Sequence, residues 1–249
     1  MIVCDERNPR AVSLRDAVRE VFPSGWGGDE RVLVFGGDGF LLHTVHRFGY
    51  DRVYLGLNAG LLGFLLNGTT DMPRVLRDLE AEAFDVHRFP LLEARVELRD
   101  GSVRRALAMN DIYLERSTGQ TARLAVIIDG HQTASQLVAD GLIFFTALGS
   151  TAYSFSAGGM PLHPKISVLG ITPICPHRPK LSPMALPPSS TARVEVEVPE
   201  RRPVRVVADG VDIEDVSAVD VKVSSTSVQL AYFHGRDFTE QMVKKVGYP

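Results

Sequence analysis

The chain has 249 residues, of which 45% are hydrophobic and 23% charged, proportions that exclude a largely disordered chain, a collagen-like repeat and a disulfide-rich mini-protein. Its formal net charge of −3 argues against a strongly basic nucleic-acid binder, and no apolar run approaches the roughly 18 residues of a membrane span. The N-terminus has no basic segment followed by a long apolar run, so we expect a cytoplasmic protein.

The first 90 residues alternate strand-like and helix-like segments. Short apolar runs predict strands, and apolar residues at helical spacing predict helices that open at Pro9 and after Asp71. We expect residues 22–25 to end the first helix. The predicted strands are 2–4, 31–35 and 53–57, and the predicted helices are 9–22, 40–48 and 72–83. Strands that alternate with helices indicate a parallel sheet with helices packed against it.

From about residue 91 the hydrophobic period changes to two, which is typical of strands. Asp100-Gly101 and Asp129-Gly130 each follow a strand-like stretch and predict hairpin turns. Further strands are predicted at 193–198, 219–223 and 228–233, with a Pro/Ser-rich loop at 182–190. Only the last dozen residues return to a helical pattern. The sequence therefore predicts an α/β N-terminal domain, residues 1–90, plus a mostly-β C-terminal domain, residues 91–235.

The segment Gly36-Gly37-Asp38-Gly39 stands between a predicted strand and a predicted helix. Glycines let the backbone approach a ligand closely, and a helix N-terminus offers unpaired N–H groups to phosphate. An aspartate here would repel phosphate unless it takes a proton from a hydroxyl or holds Mg²⁺. The structural alternative is a β-turn in which Asp38 caps the helix.

A second glycine-containing loop, residues 58–65, follows the next predicted strand. The Asn58 side chain offers both a donor and an acceptor, which suits ribose hydroxyls or the edge of a base. Gly60 and Gly63 permit close approach of the backbone to a ligand. By itself, however, this segment is better explained as an ordinary loop.

Two further segments place polar or small residues beside apolar strands. Asn110-Asp111 lies in an otherwise apolar context, where its side chains need partners from a neighbouring loop or from a ligand. Asp140-Gly141 precedes an apolar run and then residues 146–159, which are crowded with small and hydroxylated side chains. Such a stretch beside one aromatic residue suits a flat nucleotide ring laid against the backbone.

In this order, the four segments resemble the motifs of the NAD kinase family. That family carries Gly-Gly-Asp-Gly, Asn-x-Gly-x-x-Gly-Phe-Leu, an Asn-Glu/Asp pair, and Asp-Gly followed by Thr-Gly-Ser-Thr-Ala-Tyr. Val207-Ala208-Asp209-Gly210 is similar to the family's later Val-Asp-Gly. The resemblance runs from about residue 31 to residue 212, and the order of the motifs makes it more specific than any one of them.

The resemblance implies a magnesium-dependent phosphotransferase. Its members transfer a phosphoryl group from ATP, or in some cases from inorganic polyphosphate, to the 2′-hydroxyl of the adenosine ribose of NAD. The two-domain family fold implies that the C-terminal tail, residues 236–249, returns to the first domain. It also implies a homodimer or homotetramer, with Mg²⁺ held mainly by the donor phosphates and no protein ligand assigned to it.

The resemblance also assigns roles to individual residues. Asp38 matches the general base, and Gly36 and Gly37 belong to the phosphate loop. Asn58 and Phe64 match the adenine side, the pair at 110–111 matches ribose-binding groups, and Asp140 matches the aspartate near the nicotinamide. The residues expected to bind NAD are Gly39, Asn58, Phe64, Asn110, Asp111, Asp140, Thr151, Ala152, Tyr153, Ser156 and Asp209.

Three positions depart from the family pattern. Phe40 and Leu148 each replace a residue that usually carries a hydroxyl or amide, and Ser182 stands at an arginine position. Phe40 and Leu148 favour one alternative, a catalytically degenerate protein that senses NAD or NADP, whereas the retained aspartates and Asn110 argue against it. A second alternative is a lipid kinase of the diacylglycerol kinase type, which shares Gly-Gly-Asp-Gly but is not expected to carry the Thr-Ala-Tyr run and the Asn58 loop together.

Overall fold

The structure is a computed structural model that describes residues 1–23, 26, 28, 30–61 and 63–247. The chain forms two compact units: residues 1–89 with the segment that begins at Ser227, and residues 90–226. Strands β4 (Phe84–Leu98) and β15 (Val216–Phe233) each begin in one unit and end in the other.

The first unit is an α/β structure built on a parallel sheet. Its other elements are β1 (Ile2–Cys4), α1 (Pro9–Val21), β2 (Arg31–Gly36), α2 (Asp38–Phe48), β3 (Val53–Asn58), α3 (Met72–Glu80) and α5 (Phe238–Val246). β2 pairs in parallel with β1 and with β3, and β3 pairs in parallel with the last part of β15. The predicted parallel sheet with alternating helices is therefore confirmed.

The helix ends follow the capping residues. Asn8 accepts hydrogen bonds from the backbone N–H groups at the start of α1, and Asp71 does the same for α3. α2 begins two residues earlier than predicted because Gly37 is its N-cap. α3 ends at Glu80, before the predicted residue 83, since Glu82 has a positive φ that a helix cannot continue. α1 ends at Val21, and of the residues expected to end it, 24 and 25 lie outside the described part of the chain.

The core of the first unit lies between the helices and the sheet. Trp26 belongs to it: the side chain is buried, and its indole N–H donates to the Leu79 carbonyl at 3.2 Å. The buried residues of this core are Ala11, Leu14, Val18, Trp26, Leu33, Phe35, Leu55, Leu57, Ala59, Val75, Leu79 and Ala231. Buried apolar side chains of α1 and α3 belong to this core, so apolar burial is a main force that holds these two helices against the sheet.

The second unit is mostly β. Its strands are β5 (Val103–Ala108), β6 (Asp111–Arg116), β7 (Ala122–Ile128), β8 (His131–Ala139), β9 (Gly141–Phe145), β10 (Leu169–Ile174), β11 (Met184–Leu186), β12 (Thr191–Val196), β13 (Val204–Ala208) and β14 (Val211–Ile213). One short 3₁₀ turn (Gly149–Thr151) leads into one short helix, α4 (Tyr153–Ser156). This composition confirms the predicted mostly-β half.

These strands form two sets of antiparallel pairs. One set runs in the order β11-β10-β9-β6-β13-β14, and the other contains β15-β12-β7-β8 with β4 between β15 and β5. Apolar side chains from both sets share one buried core, to which Val96, Ile112, Phe144 and Val194 contribute. The predicted turns at 100–101 and 129–130 join β4 to β5 and β7 to β8, as expected.

Two predictions for this half need correction. The strands predicted at 219–223 and 228–233 are parts of the single strand β15, because the polar residues between them keep the extended backbone. The loop predicted at 182–190 contains β11, which pairs with β10 through Met184 and Ile171. Its three residues and flanking prolines give too short a pattern for a strand to be predicted.

Candidate functional site

Asp38 is the first residue of α2 and follows directly on the end of β2. Its carboxylate does not cap the helix. Instead, Oδ2 accepts the backbone N–H of Phe64 and Oδ1 accepts that of Leu65, both at 2.9 Å. The half-buried carboxylate is thus fixed in orientation by two consecutive peptide groups of the neighbouring loop.

Asn58 shapes that loop from inside. Its Oδ1 accepts the backbone N–H of Gly60 at 2.8 Å, and its backbone carbonyl accepts the Thr69 hydroxyl at 2.7 Å. Gly63 has φ +61°, and a Cβ there would clash with the Asn58 side chain. The interpretation of this segment as an ordinary loop therefore accounts for the side-chain oxygen of Asn58, which bonds within the loop. Leu62, part of the same motif, lies outside the described residues.

Phe40, the first departure from the family pattern, packs over the end of β2. A Cβ at Gly36 would lie 2.7 Å from Cδ1 of the Phe40 ring, so only glycine leaves room for it. Gly37 and Gly39 have open space around the same position. Gly36 thus makes room for the Phe40 ring, and the ring does not fill the space beside Gly37 and Gly39.

Two cationic side chains of the chain's last segment reach the loop that holds Asp38. Arg236 donates from Nη1 to the Leu66 carbonyl at 2.7 Å and from Nη2 to the Phe64 carbonyl. Nζ of Lys245 lies 3.8 Å from the centre of the Phe64 ring. Burial lowers the pKa of Lys245, and the negative charge of Asp38 opposes that shift. The sequence motifs did not single out Arg236, because an isolated arginine carries no local pattern.

In the second unit, Asp209 organises the backbone that precedes β6. Its carboxylate accepts three successive N–H groups, from Met109 at 2.6 Å, from Asn110 at 2.9 Å and from Asp111 at 3.2 Å. Asp209 lies in the turn between β13 and β14 with φ +44°. The structure thus brings together three of the predicted site residues.

Both side chains of the 110–111 pair carry buried polar atoms. Oδ1 of Asn110 is buried and has no hydrogen-bond partner among the described residues. Asp111 is 6% exposed, and burial, together with the charge of Asp209, raises the pKa of its carboxyl group to about 7. Buried polar groups in this state favour a bound polar partner.

Residues 146–150 pack directly against this pair. The Thr146 hydroxyl donates to the Met109 carbonyl at 2.6 Å, and a Cβ at Gly149 would clash with the Asn110 carbonyl. Leu148, another departure from the family pattern, is buried. This segment therefore holds the backbone at Met109 and Asn110 in place.

The small-residue run that follows divides into buried and accessible side chains. The hydroxyls of Ser150 and Ser154 are buried and hydrogen-bonded within the unit. Thr151 and Ala152 are half-buried and Ser156 is exposed. The Tyr153 ring meets the Tyr113 ring edge-on, with ring centres 5.0 Å apart. Burial, and then the negative charge of Glu115, raise the pKa of Tyr153.

Asp140 forms an ion pair that the sequence did not indicate. Nε of Arg116 lies 2.8 Å from its Oδ1, and Arg116 also donates to the Gly119 carbonyl at 2.8 Å. Both side chains are about one-third exposed.

Ser182, the remaining departure from the family pattern, is exposed. Within the described part of the chain no three His, Cys, Asp or Glu side chains are grouped to hold a metal ion, and no helix is long and apolar enough to cross a membrane.

Comparison with known proteins identifies the family. A sequence model described as ATP-NAD kinase C-terminal domain matches residues 109–233. The NAD kinase of Rickettsia bellii (strain OSU 85-389) is 34% identical over 217 residues, which cover 86% of this chain and 84% of that protein. The NAD kinase of Rhizobium meliloti (strain 1021) is 36% identical over 197 residues, covering 78% and 75%.

Solved structures agree with this. Yeast NADH kinase complexed with NADH superposes with a TM-score of 0.79 at 28% identity, covering 88% of this chain and 66% of that one. An NAD kinase from Archaeoglobus fulgidus in complex with ATP, at 22% identity, shares the fold with a TM-score of 0.79 and coverage of 98% and 97%. The predicted α/β plus mostly-β architecture and the predicted family are both confirmed. On its sequence identity and its fold, this chain belongs to the NAD kinase family.

Proposed function

We propose that this chain transfers a phosphoryl group from ATP or inorganic polyphosphate to the 2′-hydroxyl of the adenosine ribose of NAD, with Asp38 as the base that accepts the hydroxyl proton. The observation that carries this proposal is the fixed carboxylate of Asp38. Each of its oxygens accepts one backbone N–H and retains a lone pair for a substrate hydroxyl. Since phosphoryl transfer depends mainly on positioning and charge neutralisation, a carboxylate held in this way suits the reaction.

We place the ribose hydroxyls of NAD at the 110–111 pair. The unpartnered Oδ1 of Asn110 and the buried carboxyl of Asp111 are acceptors that would bind hydroxyl groups. Asp209 supports them by fixing their backbone, and its direct contact with NAD stays a prediction. We further propose that the accessible residues of the small-residue run contact NAD, and that Asp140, Gly39 and Phe64 are further NAD contacts. The residues proposed from the run are Thr151, Ala152, Tyr153 and Ser156.

The proposed cofactor is Mg²⁺, carried mainly by the phosphates of the donor. The residues present fit this ion, because the half-buried Asp38 carboxylate follows the phosphate loop and each of its oxygens keeps a lone pair, and Mg²⁺ prefers such oxygen ligands beside substrate phosphates. When bound, the ion neutralises the negative charge of the donor phosphates. The phosphate loop, Gly36 and Gly37, would lie against them, since the backbone at Gly37 is open.

The neighbours' ligands guide the choice of substrates. The archaeal relative was solved with ATP and the yeast relative with NADH, which supports ATP as a donor and NADH as a second acceptor to test. A cytoplasmic homodimer or homotetramer is the proposed state, as implied by the motif resemblance.

The decisive assay measures NADP⁺ formation from NAD⁺ and Mg²⁺, with ATP and separately with polyphosphate. Product with either donor supports the proposed reaction, and the donor comparison shows what Phe40 permits. If neither donor gives product while calorimetry detects NAD binding, the chain is a nucleotide sensor. Phosphorylation of diacylglycerol in place of NAD would instead identify a lipid kinase.

A further inference from the structure

The three residues 64–66, here called the clamp segment, are held from two directions. Asp38 accepts the backbone N–H groups of Phe64 and Leu65. Arg236 donates to the backbone carbonyls of Phe64 and Leu66. The peptide groups of the clamp segment therefore connect the proposed base to an arginine that follows β15 in the chain.

The side chain of Arg236 is itself held in place by aromatic rings. Its guanidinium carbon lies 4.2 Å from the centre of the Tyr232 ring and 5.4 Å from that of Phe238. Burial lowers the pKa of Arg236, whereas the charge of Asp38 opposes this. A guanidinium donates to two separate carbonyls in a fixed fork, which a lysine ammonium cannot reproduce. The contact thus depends on arginine chemistry and not on positive charge alone.

Within the part of the chain that the structure describes, the contact between Arg236 and Tyr232 leaves buried polar atoms without hydrogen bonds, which lowers the stability of the fold. Nε of Arg236 and the hydroxyl of Tyr232 are buried, and neither has a hydrogen-bond partner among the described residues. Tyr232 is only 1% exposed. Buried polar groups without partners destabilise a fold, and in natural proteins they are concentrated at functional sites. The residues that hold the clamp segment therefore point to a role in the reaction.

We propose that Arg236 is a positioning residue for phosphoryl transfer: it fixes the carbonyls of the clamp segment so that the adjoining N–H groups hold the Asp38 carboxylate in its reactive orientation. The inference rests on the proposed role of Asp38 as the base. Without the forked contact, the Phe64 and Leu65 peptide groups can rotate and the carboxylate loses its fixed direction. Misplacement of a catalytic group by about 1 Å can lower a rate by about 100-fold.

The first test compares Arg236→Lys with Arg77→Lys, an exposed arginine on α3 of the same unit. We expect kcat of Arg236→Lys to fall by about 100-fold, because the loss concerns the orientation of the base, with a smaller rise in the KM for NAD because the clamp segment includes Phe64. Arg77→Lys should match the parent protein. A normal kcat in Arg236→Lys, or a loss confined to KM, would overturn the proposal.

The second test separates action through Asp38 from an independent effect. If Arg236 acts through the carboxylate, Arg236→Lys should lower kcat in the parent protein but have little further effect in an Asp38→Asn background. Effects that multiply would overturn the inference. Near-normal turnover of Asp38→Asn alone would instead refute the proposed base, whatever the arginine variant does.

A third measurement covers the case in which the lysine variant folds poorly. Arg236→Ala would be assayed with added guanidinium ion and, as the matched control, with methylammonium, and kcat would be normalised to the folded fraction measured by circular dichroism. Recovery of kcat with guanidinium alone supports positioning by the fork. Equal recovery with both cations, or a normalised kcat equal to that of the parent, would contradict it.

Discussion

The Asp209 carboxylate accepts the backbone N–H of Asn110 at 2.9 Å, from a hairpin turn that lies far along the chain. The same carboxylate also holds the N–H groups on either side of Asn110. Asp38 in the first unit does likewise with two consecutive N–H groups of its loop. Each unit therefore uses one carboxylate to fix a short backbone segment through its N–H groups. The side chains of that segment are not needed for this contact.

We expect Asp209→Asn to destabilise the second unit and weaken NAD binding. The amide that replaces the carboxylate has a single acceptor oxygen, so at least one of the three N–H groups loses its partner. A buried donor without a partner costs about 1–3 kcal/mol. Urea denaturation gives the free energy of unfolding, and calorimetry gives the affinity for NAD.

The matched control for this variant is Asp212→Asn, on the other strand of the same hairpin. Asp212 is about half exposed and forms a 3.5 Å ion pair with Arg205. Its substitution should change stability by less than about 1 kcal/mol, the usual worth of an exposed pair. Equal losses of stability in the two variants would show that the three backbone hydrogen bonds of Asp209 add no more stability than an exposed ion pair.

Asp38→Asn should lower kcat by about 100- to 10,000-fold, the range expected when a general base is lost. NAD binding should persist, because the Asn110 and Asp111 side chains stay in place. The asparagine amide would also face one of two backbone N–H groups, donor against donor, so some loss of stability is expected. Asp16→Asn, an exposed position on α1, serves as the control. Near-normal turnover would remove Asp38 from the mechanism.

The stability of the ligand-free protein should depend on the ionisation of Asp111. The pKa of this carboxyl rises from 3.8 to about 7, mainly because it is buried. The folded state therefore binds the proton more tightly than the unfolded state, and the resulting stabilisation is complete below pH 3.8 and disappears as the pH rises through about 7.

To check this, the free energy of unfolding would be measured between about pH 5 and pH 8 for the parent protein and for Asp111→Asn, using the linkage between proton binding and stability. The parent should lose stability over this range relative to the variant, whose side chain does not ionise. Parallel pH curves for the two proteins would show that Asp111 ionises normally in the folded state.

Gly63→Ala should destabilise the first unit by about 1–3 kcal/mol, because the residue has a positive φ and its new Cβ would clash with Asn58. Gly68→Ala is the control, since nothing lies within 4 Å of its Cβ position. Adding Asn58→Ala should recover part of the loss by removing the clash. Thermal unfolding of the four proteins tests this, and an unchanged melting temperature in Gly63→Ala would contradict the described loop geometry.

Local patterns were sufficient to predict most of the elements that carry the candidate site. The strand before Gly36 and the cap at Asp71 follow from apolar runs and from capping chemistry, which depend on neighbouring residues. β15 was not predicted as one strand, since its polar middle interrupts the alternation on which the prediction depends.

Contacts between distant residues could not be predicted in the same way. The motifs included Asp209 but not its hold on the backbone at Asn110, and nothing in the local sequence links Arg236 to Phe64 or Arg116 to Asp140. Such pairs are fixed by the path of the chain through the sheets. Single-sequence patterns carry no information about which of many arginines meets a given carbonyl or carboxylate.

The first unit also depends on a late part of the chain for its sheet. Leu230 of β15 pairs in parallel with Tyr54 of β3, and α5 follows after all of the second unit. A ribosome therefore delivers residues 1–89 long before the strand that completes their sheet. We expect the second unit to fold first during synthesis, and the N-terminal segment to wait with an open sheet edge that chaperones would need to protect.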